Sequence, residues 1–182
     1  MESTSAPWAH IVPIDDLSQE AIDAFKCGIG VFDDWFHSKG RNAAARDECK
    51  VHVCVDGGGS PVAFFTLSST SINPDDVSSG NRGGLSGPIP AILLGKMAVC
   101  QRMQGNEGNG TCLLHHAMKL AIEAAEIVSA RLLVVDAFSP GLITWYANRG
   151  FTSLPHKPDR LVCKMSKVRR ICSSFDEGYY VR

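Results

Sequence analysis

The residues of this chain whose types and spacing best suit chemistry lie between Ala91 and Leu114, AILLGKMAVCQRMQGNEGNGTCLL. Gly105, Gly108 and Gly110 follow an almost wholly apolar run in which Lys96 is the only charge, and Thr111 opens an apolar-periodic stretch. A glycine-rich turn that leads into a helix brings bare backbone N–H groups to one point. Those donors, with the positive end of the helix dipole, hold phosphate. The spacing is G-x-x-G-x-G, which is not the order of the dinucleotide-binding fingerprint, and the Gly-Lys-Ser/Thr of a P-loop is missing. The pattern therefore predicts a buried strand over Ala91–Val99, a loop suited to a pyrophosphate, and a helix from about Thr111.

Other reactive side chains near this loop read as structural. Cys100 has no histidine beside it in sequence and reads as a buried thiol, not an acyl carrier. His115 and His116 fall in the helix start and read as packing or solvent-facing groups. Asp136 sits within the apolar run RLLVVDAF, where it could orient a substrate.

The elements that must position this loop follow from the rest of the chain. Trp8–Ile14 predicts a first strand. Asp16 or Ser18 can cap a short helix over SQEAIDAF by accepting from its free N–H groups. A longer helix is predicted over Val31–Asp47, with Phe32, Trp35 and Phe36 on its apolar face and Lys39, Arg41 and Arg46 on the other. Val51–Val55 and Pro61–Ile72, separated by Asp56-Gly-Gly-Gly-Ser60, predict an antiparallel hairpin. Residues 73–88 are rich in Gly, Ser and Pro without periodicity and predict a long mobile loop. After the glycines, Leu114, Met118, Ala121, Ala125 and Val128 form one apolar helical stripe reaching about Ser129. Arg131–Phe138 predicts a second buried strand, most simply parallel to the first because a helix crosses between them. Pro140 suits the first turn of a helix over GLITWYANRG, and Leu161–Val168 predicts a last strand.

Composition bounds the class. At 182 residues, 45% hydrophobic and 20% charged, the chain is expected to form one globular domain. No apolar run approaches the roughly 20 residues that a bilayer-crossing helix requires. The N-terminus, MESTSAPWAH, lacks the basic and apolar regions of a signal peptide. The seven cysteines are odd in number and scattered, without a CxxC, which suits reduced thiols in a cytoplasm and neither a disulfide frame nor a zinc site. Net charge is −1, yet residues 1–100 carry 7 Lys/Arg against 12 Asp/Glu, and residues 101–182 carry 11 against 7. The stretch Arg149–Arg170 holds seven basic residues and one acid, Asp159. Such asymmetry marks either a surface for a polyanion or a solvated face.

The ordered blocks LLGKMAV, QGNEGNGTCLL, LLVVDAF and WYANRGF resemble the GCN5-related N-acetyltransferase (GNAT) family. Upstream, Phe25-x-Cys-Gly28, Phe32-Asp-x-Trp-Phe36 and PVAFFTLSSTSI resemble one subgroup, the acetyltransferase toxins of bacterial type II toxin–antitoxin systems. The resemblance spans about residues 10–168 and leaves 169–182 as a tail. It implies an α+β fold, with helices flanking a central mixed, mostly antiparallel sheet that contains a splayed parallel strand pair. It implies acetyl-CoA as cofactor. The pantetheine arm would run beside Met97, Ala98 and Val99. The pyrophosphate would sit on Gln104, Gly105, Gly108, Asn109, Gly110 and Thr111, with Ser139 lining the far side. The loop is one residue longer than the family's Q-G-x-G-x-G, and Glu107 places a negative charge near the expected phosphates. The family's proton donor to the departing thiolate is the tyrosine of F-Y-x-x-x-G-F, a position that Tyr146 occupies.

The resemblance also implies an acceptor, the amino group of an aminoacyl-tRNA. An α-amino group titrates at about 7.7–8, and esterification of the neighbouring carboxyl lowers it further, so no strong general base is required. Lys39, Arg41, Arg46 and Arg149 are the candidate tRNA contacts. Implied partners are a second copy in a homodimer and a ribbon-helix-helix antitoxin, in the cytoplasm and without membrane or metal. Two other readings fit the residues. One is a GNAT enzyme acting on a small amine or protein N-terminus, which a pI of about 6.6 favours. The other is a non-catalytic GNAT-like binding module, which the altered glycine loop favours.

Overall fold

A computed structural model describes residues 7–105 and 108–180 of the chain, the side chains of 177–180 excepted. Asn106 and Glu107, with the expectation attached to the Glu107 charge, lie outside the described residues. The elements are β1 (His10–Pro13), α1 (Gln19–Ala24), α2 (Gly30–Ser38), α3 (Gly40–Ala45), β2 (Lys50–Val55), β3 (Pro61–Ile72), α4 (Ser79–Arg82), β4 (Ile89–Val99), α5 (Asn109–Ile127), β5 (Leu132–Asp136), α6 (Pro140–Ala147), β6 (Thr152–Leu154), β7 (Lys157–Lys164) and α7 (Met165–Tyr180). The strands join in the order β1-β2-β3-β4-β5-β7-β6, a mostly antiparallel sheet with β4 and β5 as its parallel pair. The chain divides into two compact units, Met1–Ser68 with Lys96–His116, and Ser69–Gly95 with Ala117–Arg182. No helix among the described residues is long and apolar enough to cross a membrane.

In the first unit Ser18 is the cap of α1, its Oγ accepting from the Ala21 amide at 3.1 Å. β1 is shorter than its apolar run predicts, because Ile14 leaves the strand for a single 3-10 turn. The helix expected over Val31–Asp47 is two helices that break at Lys39, whose φ is −120° and ψ −27°. Gly40 follows the break, where a Cβ would lie 3.0 Å from Ile14 Cδ1 and 3.4 Å from the Trp35 ring. A residue with no side chain and low helix propensity permits both the bend and that approach. Phe36 is fully buried, stacked on Phe64 at 4.5 Å and tilted against Phe25 at 4.9 Å. Each such ring pair contributes about 0.5–1.5 kcal/mol beyond its buried area. β2 and β3 form the predicted hairpin, from Lys50↔Leu67 to Cys54↔Ala63. Asp56 closes its turn by accepting from the amides of Gly58 and Ser60.

In the second unit the parallel ladder runs from Ala91↔Leu132 to Leu94↔Val135, and β4 continues beyond it to Val99. Residues 73–88 are not the loose loop that their composition suggests. Asn73 and Ser78 cap two short helical turns, Arg82 Nε donates to the Pro74 carbonyl at 3.0 Å, and Arg131 Nε donates to the Asn81 carbonyl at 2.7 Å. Val77 is buried with Ile72, Ile89 and Val134. The Arg131 bond spans fifty positions, so no local periodicity announces it. The α5 stripe holds at Leu114, Met118 and Ala121, all fully buried, but Val128 lies past the helix end and is 73% exposed. The last strand begins at Lys157, earlier than Leu161, pairs with the short β6, and stops at Lys164. The tail is helix α7, with Met165, Val168 and Cys172 buried at helical spacing. Lys167 Nζ to the Gly150 carbonyl, at 2.8 Å, and the ion pairs Arg169–Glu126 and Lys119–Asp176, both at 2.7 Å, hold it in place.

Candidate active site

The first unit carries the loop. After β4, a 3-10 turn over Gln101–Met103 brings the chain to Gln104, whose Nε2 donates to the carbonyls of Cys27 and Val99, both at 2.7 Å. Gly105 and Gly108 have φ of +76° and +98°, where an L side chain is strained, and a Cβ at either would meet nothing within 4 Å. The loop conformation at these two positions thus depends on glycine. Asn109 Nδ2 donates to the Met103 carbonyl at 2.8 Å, and the Cys112 amide to the Gly108 carbonyl at 2.7 Å starts α5. The amides of Asn109 and Gly110 therefore stand at the head of a 19-residue helix, with its positive dipole end behind them. This backbone cradle fits a pyrophosphate. Met97 and Val99 are half-buried and Ala98 is buried on the strand that leads into it. One residue earlier, the Lys96 amide donates to Oγ1 of the buried Thr66 at 2.9 Å.

The neighbouring reactive groups have structural roles in view. Cys100 is buried, and its amide donates to the Val62 carbonyl at 2.8 Å. The His115 ring is buried, with Nδ1 2.9 Å from the Thr111 carbonyl, and the His116 ring lies 5.5 Å from that of Trp8.

The second unit carries the tyrosine. Ser139 is the N-cap of α6 and Pro140 takes its first turn, as the fixed φ of proline favours. Two turns on, the Tyr146 ring is 5% exposed, edge-on to Trp145 at 5.0 Å and to Phe151 at 5.5 Å. Burial pushes its phenol up to about 12, because phenolate is disfavoured away from water. The group is a protonated donor throughout the neutral range. Arg149 lies over the Trp145 ring at 3.8 Å and donates from Nη1 to the Trp145 carbonyl at 3.0 Å. Asp136 receives two bonds from Arg160, both at 2.7 Å. That guanidinium holds its carboxyl below the usual range against the opposing effect of burial. Asp136 is thus paired within the sheet.

The basic residues of the α2–α3 region differ among themselves. Lys39 is exposed at the break between the helices. Arg41 donates to the Leu17 carbonyl and to Gln19 Oε1, and Arg46 pairs with Glu48 at 2.7 Å. Asp33, which no sequence argument picked out for a task, accepts from the amides of Cys27 and Gly28 at 2.7 and 3.1 Å. Its only signal in the sequence is its place in the Phe32-Asp-x-Trp-Phe36 block.

A glycine loop between a sheet strand and a helix, on a mixed sheet with a single parallel pair, is the architecture of the GNAT acetyltransferases, and the chain resembles the acetyltransferase toxins among them. No family model matches the chain. It is 28% identical over 173 residues to a tRNA-acetylating toxin of Mycobacterium tuberculosis, covering 94% of this chain and 98% of that one. Its fold matches that of AtaT, solved in complex with acetyl-methionyl-tRNAfMet, with a TM-score of 0.80 at 18% identity, over 89% of this chain and 98% of AtaT. It also matches a tyrosine-to-phenylalanine mutant of AtaT bound to the C-terminus of the antitoxin AtaR and acetyl-CoA, with a TM-score of 0.72 at 19% identity, over 89% and 96% of the two chains.

Proposed function

We propose that the chain is an acetyl-CoA-dependent N-acetyltransferase that acetylates the amino group of an aminoacyl-tRNA and so acts as the translation-blocking toxin of a toxin–antitoxin pair. The observation that carries this reading is the near end-to-end likeness to a tRNA-acetylating toxin, joined to a glycine-rich loop at the head of α5. Bound acetyl-CoA supplies an activated acetyl group and a sulfur that must leave. The amides of Asn109 and Gly110, with Gly105, Gly108 and Thr111 shaping the loop, hold the pyrophosphate through hydrogen bonds and the helix dipole. Met97, Ala98 and Val99 offer strand backbone to the pantetheine amides in the manner of an added strand, and Ser139 lines its far side. Tyr146 holds a proton at its phenol oxygen and donates it toward the leaving sulfur, and burial keeps that proton in place at neutral pH. The chain needs no strong base, since the α-amine of an aminoacyl ester is partly neutral near pH 7.

This reading treats residues 1–182 as one acetyltransferase domain working in the cytoplasm as a homodimer, silenced by a ribbon-helix-helix antitoxin. Lys39 leads the candidate tRNA contacts. Arg41, Arg46 and Arg149 stand behind it, because their guanidinium groups have protein partners to give up first. The test is induced expression of wild type and Tyr146→Phe at equal levels, with mass spectrometry of the aminoacyl-tRNA pool. The expected result is growth arrest and N-acetylated aminoacyl-tRNA with wild type and neither with the mutant. A well-folded wild type that binds acetyl-CoA but leaves the pool unacetylated would overturn the tRNA acceptor.

A further inference from the structure

The block Phe25-x-Cys27-Gly28 with Phe32-Asp33-x-Trp35-Phe36 is the part of the sequence pattern that the chemistry above leaves without a task. In the structure its polar members form a chain of bonds that ends at the glycine loop. Asp33 lies in the first turn of α2, and its two carboxylate oxygens separately take the Cys27 amide at 2.7 Å and the Gly28 amide at 3.1 Å. Three residues beyond Trp35's predecessor in that helix, His37 Nε2 lies 2.6 Å from the Phe25 carbonyl. With its amides gripped this way, the 26–27 backbone turns carbonyls toward the segment after β4. The Lys26 carbonyl accepts from the Gln101 amide at 2.9 Å, and the Cys27 carbonyl accepts from Gln104 Nε2 at 2.7 Å. The other hydrogen of that Nε2 goes to the Val99 carbonyl at 2.7 Å. The glycine of the block has a reason too. Gly28 has φ +85°, and a Cβ there would lie 2.5 Å from Gln101 Nε2. Burial pulls the Asp33 carboxyl up, but the amide and thiol of Cys27, with the Gly28 amide and the nearby His37, together more than offset it, so it is an anion at neutral pH, as a double acceptor must be.

Resting on the acetyltransferase reading, we propose that Asp33 and Gln104 are positioning residues of one network that holds residues 99–105 in the shape that receives the cofactor's pyrophosphate. Gln104 then acts through the loop backbone. Both hydrogens of its amide nitrogen are engaged by carbonyls, so it supports the cradle and is not itself a phosphate donor. Asp33 stands one step further back and reaches the ligand only through Cys27 and Gln104.

The experiment is isothermal titration of acetyl-CoA into the full chain as wild type, Asp33→Ala, Asp33→Asn, Gln104→Ala and the double alanine variant. Melting curves are recorded for each, and turnover is measured with bulk aminoacyl-tRNA. Asp33→Ala should weaken acetyl-CoA binding roughly tenfold, the usual scale for bonds to a charged group. Asp33→Asn, which keeps one acceptor oxygen, should lose less. The double variant should be about as weak as the weaker single one, because both act on one network. Turnover at saturating acetyl-CoA should stay within about twofold of wild type, a KM-only signature that a general loss of packing does not produce. Wild-type affinity in a folded Asp33→Ala, or additive losses in the double variant, overturns the proposal. Should Asp33→Ala fail to fold, Asp33→Asn decides alone, with severalfold weaker binding supporting the network and unchanged binding overturning it. A wild-type chain that gives no heat with acetyl-CoA brings down the acetyltransferase reading, and the network with it. Normal wild-type binding with indifferent variants brings down the network alone.

Discussion

In the proposed reaction the glycine loop of the first unit and the tyrosine helix of the second serve chemistry by opposite means. The loop works with backbone: amides at a helix head, two glycines at positive φ, and side chains such as Gln104 and Asn109 turned inward to carbonyls. The helix works with a single side chain, Tyr146, whose surroundings are rings. A backbone site is vulnerable to added atoms and indifferent to most side-chain identities. A side-chain site is vulnerable at one atom, while its neighbours need only fill space and exclude water.

The sharpest test of that contrast is Tyr146→Phe. Loss of the proton donor should lower acetyl transfer roughly 10²–10⁴-fold, while acetyl-CoA affinity and the melting midpoint stay near wild type. In a pH titration followed by ultraviolet absorbance, the phenol that ionises at about 12 should vanish from the variant. A variant that keeps its rate would break the comparison at its second half.

Gly108→Val should do the reverse. A β-branched residue at φ +98° costs about 1–2 kcal/mol, which disfavours the loop conformation on which the proposed cradle depends. Titration should show roughly tenfold weaker acetyl-CoA binding or more, with turnover at saturation largely kept. A fall in turnover without a change in affinity would mean that the loop does more than hold phosphate.

Smaller effects belong to the charged pairs. The Asp136 carboxyl is held down by Arg160, so its folded value lies below the roughly 3.9 of an unfolded aspartate. Its contribution is therefore present above about pH 3.9 and lost as pH falls through the folded value. Denaturant melts of wild type and Asp136→Asn should differ by about 1 kcal/mol at pH 7, given a half-buried pair still partly screened by solvent, and converge in acid. A gap that widened in acid would contradict the pairing. Smallest of all, Arg46→Ala should shift stability by no more than about 0.5 kcal/mol, since the Arg46–Glu48 pair is exposed.

Much of this was legible in the residues because the signals were local. The strand–glycine–helix unit, the 51–72 hairpin, the Ser18 cap and Pro140 at a helix start all depend on neighbours within a few positions, and each appears in the structure near its expected bounds. Two of the misses share a cause, a partner distant in sequence. The break at Lys39 depends on Gly40 meeting Ile14, which is distant in sequence. The order in 73–88 depends on Arg131, fifty positions on from Asn81. Helix α7 was readable in principle, since Met165, Val168 and Cys172 carry its period, but a strand-like alternation up to Val168 masked it.

The sequence by itself determined where phosphate-binding backbone could form, because φ > 0 and helix heads are written in glycine and its immediate neighbours. It also determined which tyrosine matched a proton donor, through the WYANRGF block. Only the tertiary structure decided which polar side chains are already taken by partners within the protein. Asp136 belongs to Arg160, Arg41 to the Leu17 carbonyl, and Gln104 to two carbonyls, one of them 77 positions away. The physical reason is that a hydrogen bond depends on distance and angle in space, and the partner that satisfies a side chain is set by how the strands and helices pack, not by its place along the chain.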